Sequence, residues 1–222
     1  RNTRSDVMAS LHFEKVINEC DFVYFLAFDV GGSRYLEKYQ KTFNFINNNV
    51  QLMANTFFYL EKTKKPFIYA SSQMSMMLHS VYGNCKLIGD KYTDILGGIK
   101  VLLWNVYGVE KNEEKAHVIS DFIHKARTDG NIQMLTTGLE RRQFLHVEDC
   151  CEALYKLSEV YDSIPRDKNY HITSFDWTSI EDIAKIISSI EGCSYTRGEK
   201  ADVVHRAVVV EPDPYILEYW QP

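Results

Sequence analysis

The strongest constraint on the fold is a repeated alternation of short apolar runs with longer segments of helical spacing. Mostly hydrophobic runs of this kind occur at Asp21–Phe28, Phe67–Ala70 and Ile99–Trp104. Such runs are typical of strands buried on both faces of a parallel sheet. Helical patterns cover Asn47–Glu61 and the segment from Val81 to Gly97. The alternation predicts an α/β fold with a doubly wound parallel sheet.

Composition narrows the class of protein. The chain has 222 residues, of which 45% are hydrophobic, so it can bury one large core with a small annex. Its net charge is −5 and its longest basic cluster, Lys62–Lys65, precedes a predicted strand, so nucleic acid is not an expected partner. No apolar run has membrane-spanning length, so no membrane partner is expected either. Five cysteines without CxxC spacing indicate a cytoplasmic protein without a metal site.

Weaker patterns complete the predicted order of elements. Further helices are predicted at Asp6–Glu19, His117–Arg127, Cys150–Tyr161 and Thr178–Ile190, and further strands at Ile132–Leu135 and His171–Ile172. Prolines interrupt the tail Glu211–Tyr215, which predicts extended surface chain.

The segment Pro66–Lys86 predicts proton chemistry. Its strand ends in Ser71 and Ser72, and the following helix carries Tyr82 and, four residues later, Lys86. Residues at i and i+4 lie on one face of a helix, so the phenol and the ammonium point to one place. The unperturbed pKa of tyrosine is about 10, and a nearby cation lowers it.

Six short motifs occur in one order along the chain: FLAFDVGG, NNNV, YASSQ, YGNCK, NVYG and RRQFLHVED. Together they resemble the extended short-chain dehydrogenase/reductases, the nucleotide-sugar epimerase/dehydratase family. The resemblance implies a Rossmann-like sheet, NAD or NADP as cofactor, a nucleotide sugar as substrate, and a small substrate-binding portion.

The resemblance also implies roles for individual residues. The catalytic residues would be Ser72, Tyr82 and Lys86. The residues near the cofactor would be Leu26, Ala27, Asn49, Ser71, Tyr82, Lys86 and Asn105. The residues near the substrate would be Gly31, Gly32, Gln73, Asn105, Tyr107 and Arg142. Simpler interpretations remain: a plain turn at Gly31-Gly32, a helix cap at Asn49, a turn at Asn105, and a solvated neighbour of Arg142 at Arg141.

The chain departs from the family pattern in three places. Dehydratases carry an Asp-Glu pair where this chain has Gln73 and Met74, so 4,6-dehydration is not expected. The GDP-mannose 3,5-epimerising enzymes have a cysteine at the place of Met74, and the loop from Ser72 to Tyr82 is short for the family. The third departure is the lack of a GxxGxxG segment, which leads us to expect a portion of a longer protein, with the first apolar strand at an exposed sheet edge.

These features predict an NAD(P)-dependent nucleotide-sugar epimerase that acts through a keto-sugar. The alternatives are an NADPH-dependent keto-sugar reductase and a non-catalytic homologue that binds a ligand or forms a structural dimer. The dinucleotide-binding portion is expected at residues 1–106 and 143–175, and the substrate-binding portion at 107–142 and 193–222. The resemblance implies a homodimer, formed by the helices around Asn49–Glu61 and Val81–Leu96, and both carry more apolar residues than one buried face requires.

Overall fold

The structure is a computed structural model that describes residues 10–201 and 211–222. Helices in these ranges are α1 (Ser10–Glu19), α2 (Ser33–Tyr39), α3 (Phe43–Thr63), α4 (Val81–Leu96), α5 (Val118–Asp129), α6 (Val147–Glu159) and α7 (Ile180–Glu191). Strands are β1 (Val23–Phe25), β2 (Phe67–Ser72), β3 (Ile99–Leu103), β4 (Asn105–Tyr107), β5 (Asn131–Gln133), β6 (Arg141–His146), β7 (Tyr170–Ile172), β8 (Trp177–Ser179) and β9 (Ser194–Thr196). Short 3₁₀ helices cover Gln73–Met76, Glu113–Lys115 and Pro214–Glu218.

The main sheet has four parallel strands in the order β1-β2-β3-β7. All six residues of β2 are buried, and alternate side chains face opposite sides of the sheet. Phe67 and Tyr69 pack with α3 and α4, whereas Ile68 packs with α6 on the other side. Helices therefore cover both faces, and the predicted Rossmann-like α/β fold is confirmed.

The first strand differs from its prediction. Only Val23–Phe25 is extended and paired, and it pairs with β2 alone, at one edge of the described sheet. Phe25 is buried, but Tyr24 and Leu26 are exposed. The prediction of burial on both faces was therefore wrong, whereas the expected exposed edge is observed.

Capping side chains begin two helices near the site, and a glycine ends one of them. The helix α3 begins four residues before its predicted start, because the Thr42 hydroxyl accepts a hydrogen bond from the amide of Phe45 at 3.3 Å. The helix α4 begins where Ser80 caps the amide of Gly83 at 3.0 Å. It ends as predicted at Gly97, whose φ of 73° lies in the left-handed region.

The strands β4, β6 and β8 form a second sheet, and β5 pairs with β9. Beside them α5 and α7 share a smaller apolar cluster. The cap of α7 is Ser179, whose hydroxyl accepts from the amide of Asp182 at 3.0 Å, so Thr178 does not begin this helix as predicted. The division of the chain into two portions stays a prediction.

The carboxyl-terminal segment corrects another expectation. Pro214–Glu218 forms a 3₁₀ helix instead of extended surface chain. Ile216 and Trp220 are buried in the core beneath the main sheet. No helix in the two described ranges is both long and apolar enough to cross a membrane.

Candidate active site

The site lies beyond the carboxyl ends of the main strands. Because β1 and β2 are parallel with Phe25 opposite Tyr69, the chain after β1 lies beside Ser71 and Ser72. The strand β3 runs directly into the segment that begins at Asn105. The carboxyl ends of parallel strands are where α/β folds bind ligands.

A single cleft at this edge brings together most of the predicted site residues. Those that line it are Gly31, Gly32, Ser72, Gln73, Tyr82, Asn105, Tyr107 and Arg142. The predicted residues that do not line it are Leu26, Ala27, Asn49, Ser71 and Lys86. The residues predicted to contact substrate therefore share one surface. Of the residues predicted near the cofactor, Tyr82 and Asn105 line this surface and the other five do not.

Backbone contacts fix the positions of Ser72 and Tyr82. Ser72 ends β2, and its hydroxyl accepts a hydrogen bond from the amide of Met74 at 3.2 Å. Tyr82 lies in the first turn of α4, where the next residue is Gly83. A Cβ atom at position 83 would lie 2.0 Å from the carbonyl oxygen of Met74. Glycine therefore lets the 3₁₀ turn after Ser72 pack directly on the helix that carries Tyr82.

Burial dominates the environment of the Tyr82 hydroxyl. The side chain packs edge-on against Phe28, with ring centroids 5.7 Å apart. Burial raises the pKa of Tyr82 above its ordinary value, the Ser72 hydroxyl lowers it in part, and Asp90 raises it further. The phenol is therefore protonated at neutral pH, with Ser72 as its polar neighbour.

Lys86 lies behind Tyr82 and is also buried. Its ammonium donates a hydrogen bond to the carbonyl of Ala70 at 2.6 Å and lies 3.8 Å from the ring centroid of Phe28. The distance from its nitrogen to the Tyr82 ring centroid is 5.9 Å. Burial lowers the pKa of Lys86 to about 7, against the opposing effects of Asp90 and Cys85.

The pKa of Tyr82 shows no net lowering of the kind predicted from Lys86. The pKa of Tyr82 is raised instead of lowered, because burial outweighs every favourable contact. The same burial weakens the charge on Lys86 near neutral pH. The i, i+4 spacing in the sequence correctly predicted that Tyr82 and Lys86 lie on one side of the helix. Their pKa values, however, are set mainly by loss of contact with water.

Asn49 has a different role from a helix cap. It lies in the second turn of α3 and is fully buried. Its side-chain oxygen accepts from the amide of Asp29 at 2.7 Å, and its side-chain amide donates to the Asp29 carbonyl at 3.2 Å. The Asp29 carboxylate in turn accepts from Tyr35 and Lys115 at 2.7 and 2.8 Å. Asn49 thus fixes the loop after β1, and its predicted contact with cofactor stays a prediction.

The glycines Gly31 and Gly32 line the cleft, and Gly32, which precedes α2, has extended backbone angles instead of those of a turn. The amide of Gly32 donates to the carbonyl of Lys115 at 3.0 Å. A Cβ atom at Gly32 would lie 2.3 Å from the carbonyl oxygen of Ala116. The plain turn is therefore not observed. The absence of a side chain at Gly32 lets two backbone segments meet at the wall of the cleft, and the contact of the pair with substrate stays a prediction.

The opposite wall comes from the second sheet. Asn105 donates to the carbonyl of Gln143 at 3.1 Å, which joins β4 to β6 beyond their backbone pairing. Arg142 lines the cleft from β6, whereas Arg141 is exposed and donates to the carbonyl of Trp177 at 2.7 Å. The interpretation of Arg141 as a solvated neighbour agrees with this placement.

Sequence reasoning missed two pairs at the cleft. Arg34 on α2 forms an ion pair with Asp121 on α5 at 2.5 Å, and both line the cleft. Trp104 donates to the ring nitrogen Nδ1 of His171 at 3.0 Å. Neither pair has a local signal, because 87 and 67 positions separate the partners. A helix signal for α2 was available in the spacing of Tyr35 and Leu36 with Tyr39, but the glycine pair before it favoured a turn.

The strand ends beside Tyr82 fit the nicotinamide half of a dinucleotide. Leu26 is 50% exposed, and Ala27 after it is exposed too. An exposed apolar strand end next to a buried serine, tyrosine and lysine is a surface that a planar ring and its ribose can cover. Tyr82 lines the cleft and Lys86 lies behind it, so their predicted contacts with the ribose stay predictions.

Three solved structures illustrate what the chain is similar to. UDP-glucose 4-epimerase from Thermotoga maritima, with UDP-glucose, is 15% identical over 97% of this chain and 77% of that chain, with a TM-score of 0.77. ADP-L-glycero-D-manno-heptose-6-epimerase from Helicobacter pylori is 18% identical over 98% and 73%, with a TM-score of 0.73. MoeE5 in complex with UDP-glucose and NAD is 18% identical over 90% and 72%, with a TM-score of 0.71.

These likenesses confirm the fold alone, and no curated protein sequence matches the chain. The family model for the NAD dependent epimerase/dehydratase family matches residues 1–173, most of the chain. That match agrees with the cleft at the strand ends and with the order of the sequence motifs. The chain therefore belongs to the NAD dependent epimerase/dehydratase family.

Proposed function

We propose that the protein is an NAD-dependent nucleotide-sugar epimerase that acts through a keto-sugar. The observation that carries this proposal is a cleft lined by Ser72 and Tyr82 and also by Arg142 from the second sheet. A nucleotide sugar has a diphosphate for a guanidinium and a hydroxylated ring for a serine-tyrosine pair. Similar structures hold UDP-glucose, and one holds NAD with it.

In the proposed reaction the residues of the chain handle protons and position. Tyr82 removes the proton from a sugar hydroxyl and returns it to the ketone oxygen, while Ser72 holds that oxygen. Nicotinamide, when bound, supplies the acceptor and later the donor of the carbon-bound hydride. Return of the hydride to the opposite face inverts the carbon centre. Asn105 and Tyr107 line the path between the strand ends and Arg142.

Dehydration is not the reaction that this cleft favours. Gln73 lines the wall where a dehydratase would need an acid, and the Met74 side chain is buried and apolar. Neither side chain can move a proton at neutral pH. An NADPH-dependent keto-sugar reductase would use the same Ser72 and Tyr82. Whether the reaction consumes NADPH or leaves the amount of NAD unchanged therefore distinguishes the reductase from the epimerase.

The test is incubation with NAD and a panel of nucleotide sugars in D₂O, followed by NMR of the sugar. An epimerase acting by hydride return gives an inverted product that keeps its carbon-bound hydrogen, without net change in NAD. Deuterium at the inverted carbon would reject this mechanism, and stoichiometric consumption of NADPH with a keto-sugar would favour the reductase. Binding of nucleotide sugar and NAD without any turnover would favour the non-catalytic homologue.

Arg142→Ala is expected to weaken binding of UDP-glucose by about 10–100-fold, because a charge-assisted hydrogen bond to diphosphate is lost. Binding of NAD should be unaffected, since Arg142 lies on the wall away from the strand ends of β1 and β2. Calorimetry with each ligand measures both effects. Arg141→Ala is the matched control, because it removes an exposed arginine from the adjacent position. Equal losses for both ligands, or equal losses in both variants, would contradict the assignment.

We also propose a homodimer formed through α3 and α4. The two helices adjoin, since Phe57 stacks on Tyr92 with centroids 4.8 Å apart. Exposed apolar side chains continue across them at Ile46, Val50, Phe58, Ile88, Tyr92 and Ile95. A two-fold contact places such a patch against its own copy and removes it from water. The five cysteines are free thiols, which supports a reducing cytoplasm as the location of this dimer.

Ile95→Lys is expected to weaken the dimer by at least tenfold, or about 1.4 kcal/mol, because a charge would be buried in an apolar contact. Ile95 is 81% exposed, so the fold itself should tolerate the change. Ile190→Lys on α7 is the control, because Ile190 is 75% exposed and lies outside the patch. Light scattering at micromolar concentration measures the mass, and a wild-type monomer would refute the dimer.

A further inference from the structure

A buried carboxylate lies one helical turn after Lys86 and has no part in the mechanism above. Asp90 is on the same face of α4 as Lys86, and both are buried. Its Oδ1 atom has no hydrogen-bond partner among the residues that the structure describes. An unpaired buried carboxylate oxygen destabilises a fold, so its presence calls for a functional reason.

The fold brings strand and helix unusually close at this carboxylate. A Cβ atom at the preceding Gly89 would lie 2.2 Å from the Tyr69 hydroxyl. Glycine at this position therefore lets the central strand pack against α4. Ser71, whose hydroxyl oxygen is also buried without a hydrogen-bond partner among the described residues, and Ser75 are the hydroxyl groups that act on Asp90. These two serines flank the segment that carries Ser72.

Asp90 is the carboxylate that acts on Lys86. It raises the pKa of Lys86 against the larger, opposite effect of burial. The pKa of Asp90 is itself raised by burial and held back by Ser71, Ser75, Lys100 and Lys86. The titratable groups that face this cluster are Tyr82 and Cys85 on α4, Tyr69 on β2 and Lys100 on β3.

We propose that Asp90 is a positioning residue that keeps Lys86 an ammonium ion beside Tyr82 and, through Ser71 and Ser75, steadies the turn that carries Ser72. The catalytic part of this inference rests on the proposed function, whereas the electrostatic effect of Asp90 on Lys86 does not. A buried ammonium without a carboxylate nearby loses its proton at neutral pH. A neutral lysine could hold a ribose hydroxyl but could not stabilise a phenolate.

Asp90→Asn tests the proposal because the amide has the shape of the acid and lacks its charge. NMR of lysine labelled with ¹³C at Cε follows the titration of Lys86, whose signal is identified by its loss in Lys86→Met. The wild-type midpoint is expected near pH 7. In Asp90→Asn it should fall by about one unit, so that about a tenth of Lys86 stays charged at pH 7 instead of about half.

Asp162→Asn is the control for charge, because Asp162 is exposed in a turn after α6. An unchanged Lys86 midpoint in folded Asp90→Asn would overturn the proposal, and so would an equal shift in Asp162→Asn. If Asp90→Asn fails to fold, Ser71→Ala and Ser75→Ala supply the second test. Each removes a contact that keeps Asp90 ionised, so the Lys86 midpoint should fall in the same direction, and no change in either variant would also overturn it.

The titration separates this inference from the proposed activity. A shifted midpoint with no turnover of any nucleotide sugar would retain the electrostatic effect of Asp90 on Lys86 and reject the epimerase. Turnover of a nucleotide sugar with an unshifted Lys86 midpoint would support the epimerase and reject the proposed role of Asp90. If the epimerase activity and the role of Asp90 are both supported, Asp90→Asn should lower kcat more than it raises KM, because Asp90 does not line the cleft proposed for the nucleotide sugar.

Discussion

Tyr82→Phe is expected to reduce turnover by about 10²–10⁴-fold, the usual contribution of a general acid or base. The change removes one oxygen atom and leaves a ring that still packs against Phe28 and the apolar cluster beneath α2. Burial has already raised the pKa of the phenol, so the wild-type residue begins as an acid and needs the site around it to become a base. Tyr82→Phe has no hydroxyl group, so it can neither donate nor accept the proton.

The measurement is kcat for the most active nucleotide sugar, together with thermal unfolding of both proteins. The melting temperature should change little, because no large side chain leaves the core. Tyr155→Phe is a suitable control, since Tyr155 is an exposed phenol on α6. Retention of more than about a tenth of the wild-type kcat would reject Tyr82 as the proton carrier.

Lys86→Met should reduce turnover by about 10²-fold or more, and the activity that remains should shift to higher pH. Below its pKa of about 7 Lys86 is mostly charged. Removing that charge leaves the neighbouring phenol without a cation there, so the phenolate is expected to form only at higher pH. A pH–rate profile measures the shift, with Lys91→Met as control for an exposed lysine on the same helix. A profile that superimposes on the wild type would contradict the electrostatic role of Lys86.

The same variant has a separate signature in stability. The pKa of Lys86 is about 7 in the folded protein and 10.5 at its ordinary value. Between these two pH values the unfolded chain binds one more proton than the folded chain, so the free energy of unfolding rises with pH. Lys86→Met should lose this rise, which denaturant titrations at pH 6.5 and pH 10 would measure.

The sequence predicted those parts of the fold and site that depend on local spacing. Phe67–Ala70 and the following helix were readable because their apolar pattern, cap and final glycine lie within a few residues. Tyr82 and Ser72 meet in the cleft because a strand and the next helix bring them there. Six weak motifs in one order identified the family, since order carries information that a single motif lacks.

The parts that could not be predicted depend on distant contacts. Whether Lys86 is charged depends on burial under Phe28, which lies 58 positions earlier in the chain. The tail Glu211–Tyr215 was assigned to extended surface chain because of its prolines. Pro214 and Tyr215 instead begin a 3₁₀ helix, and tertiary packing buries its next residue, Ile216, completely. Local pattern is also ambiguous for β1, whose apolar run is continuous although only one of its faces is covered.

The contact between position 83 and the carbonyl of Met74 has a consequence for redesign of the cleft. Two main-chain segments meet there without a side chain between them, so the separation of Ser72 from Tyr82 cannot be adjusted by repacking. A library that varies Gln73 is expected to alter what the cleft accepts without changing the separation of Ser72 from Tyr82. One that lengthens the loop or replaces Gly83 would instead pull the pair apart, so substrate range and catalytic geometry can be varied separately only while that glycine is kept.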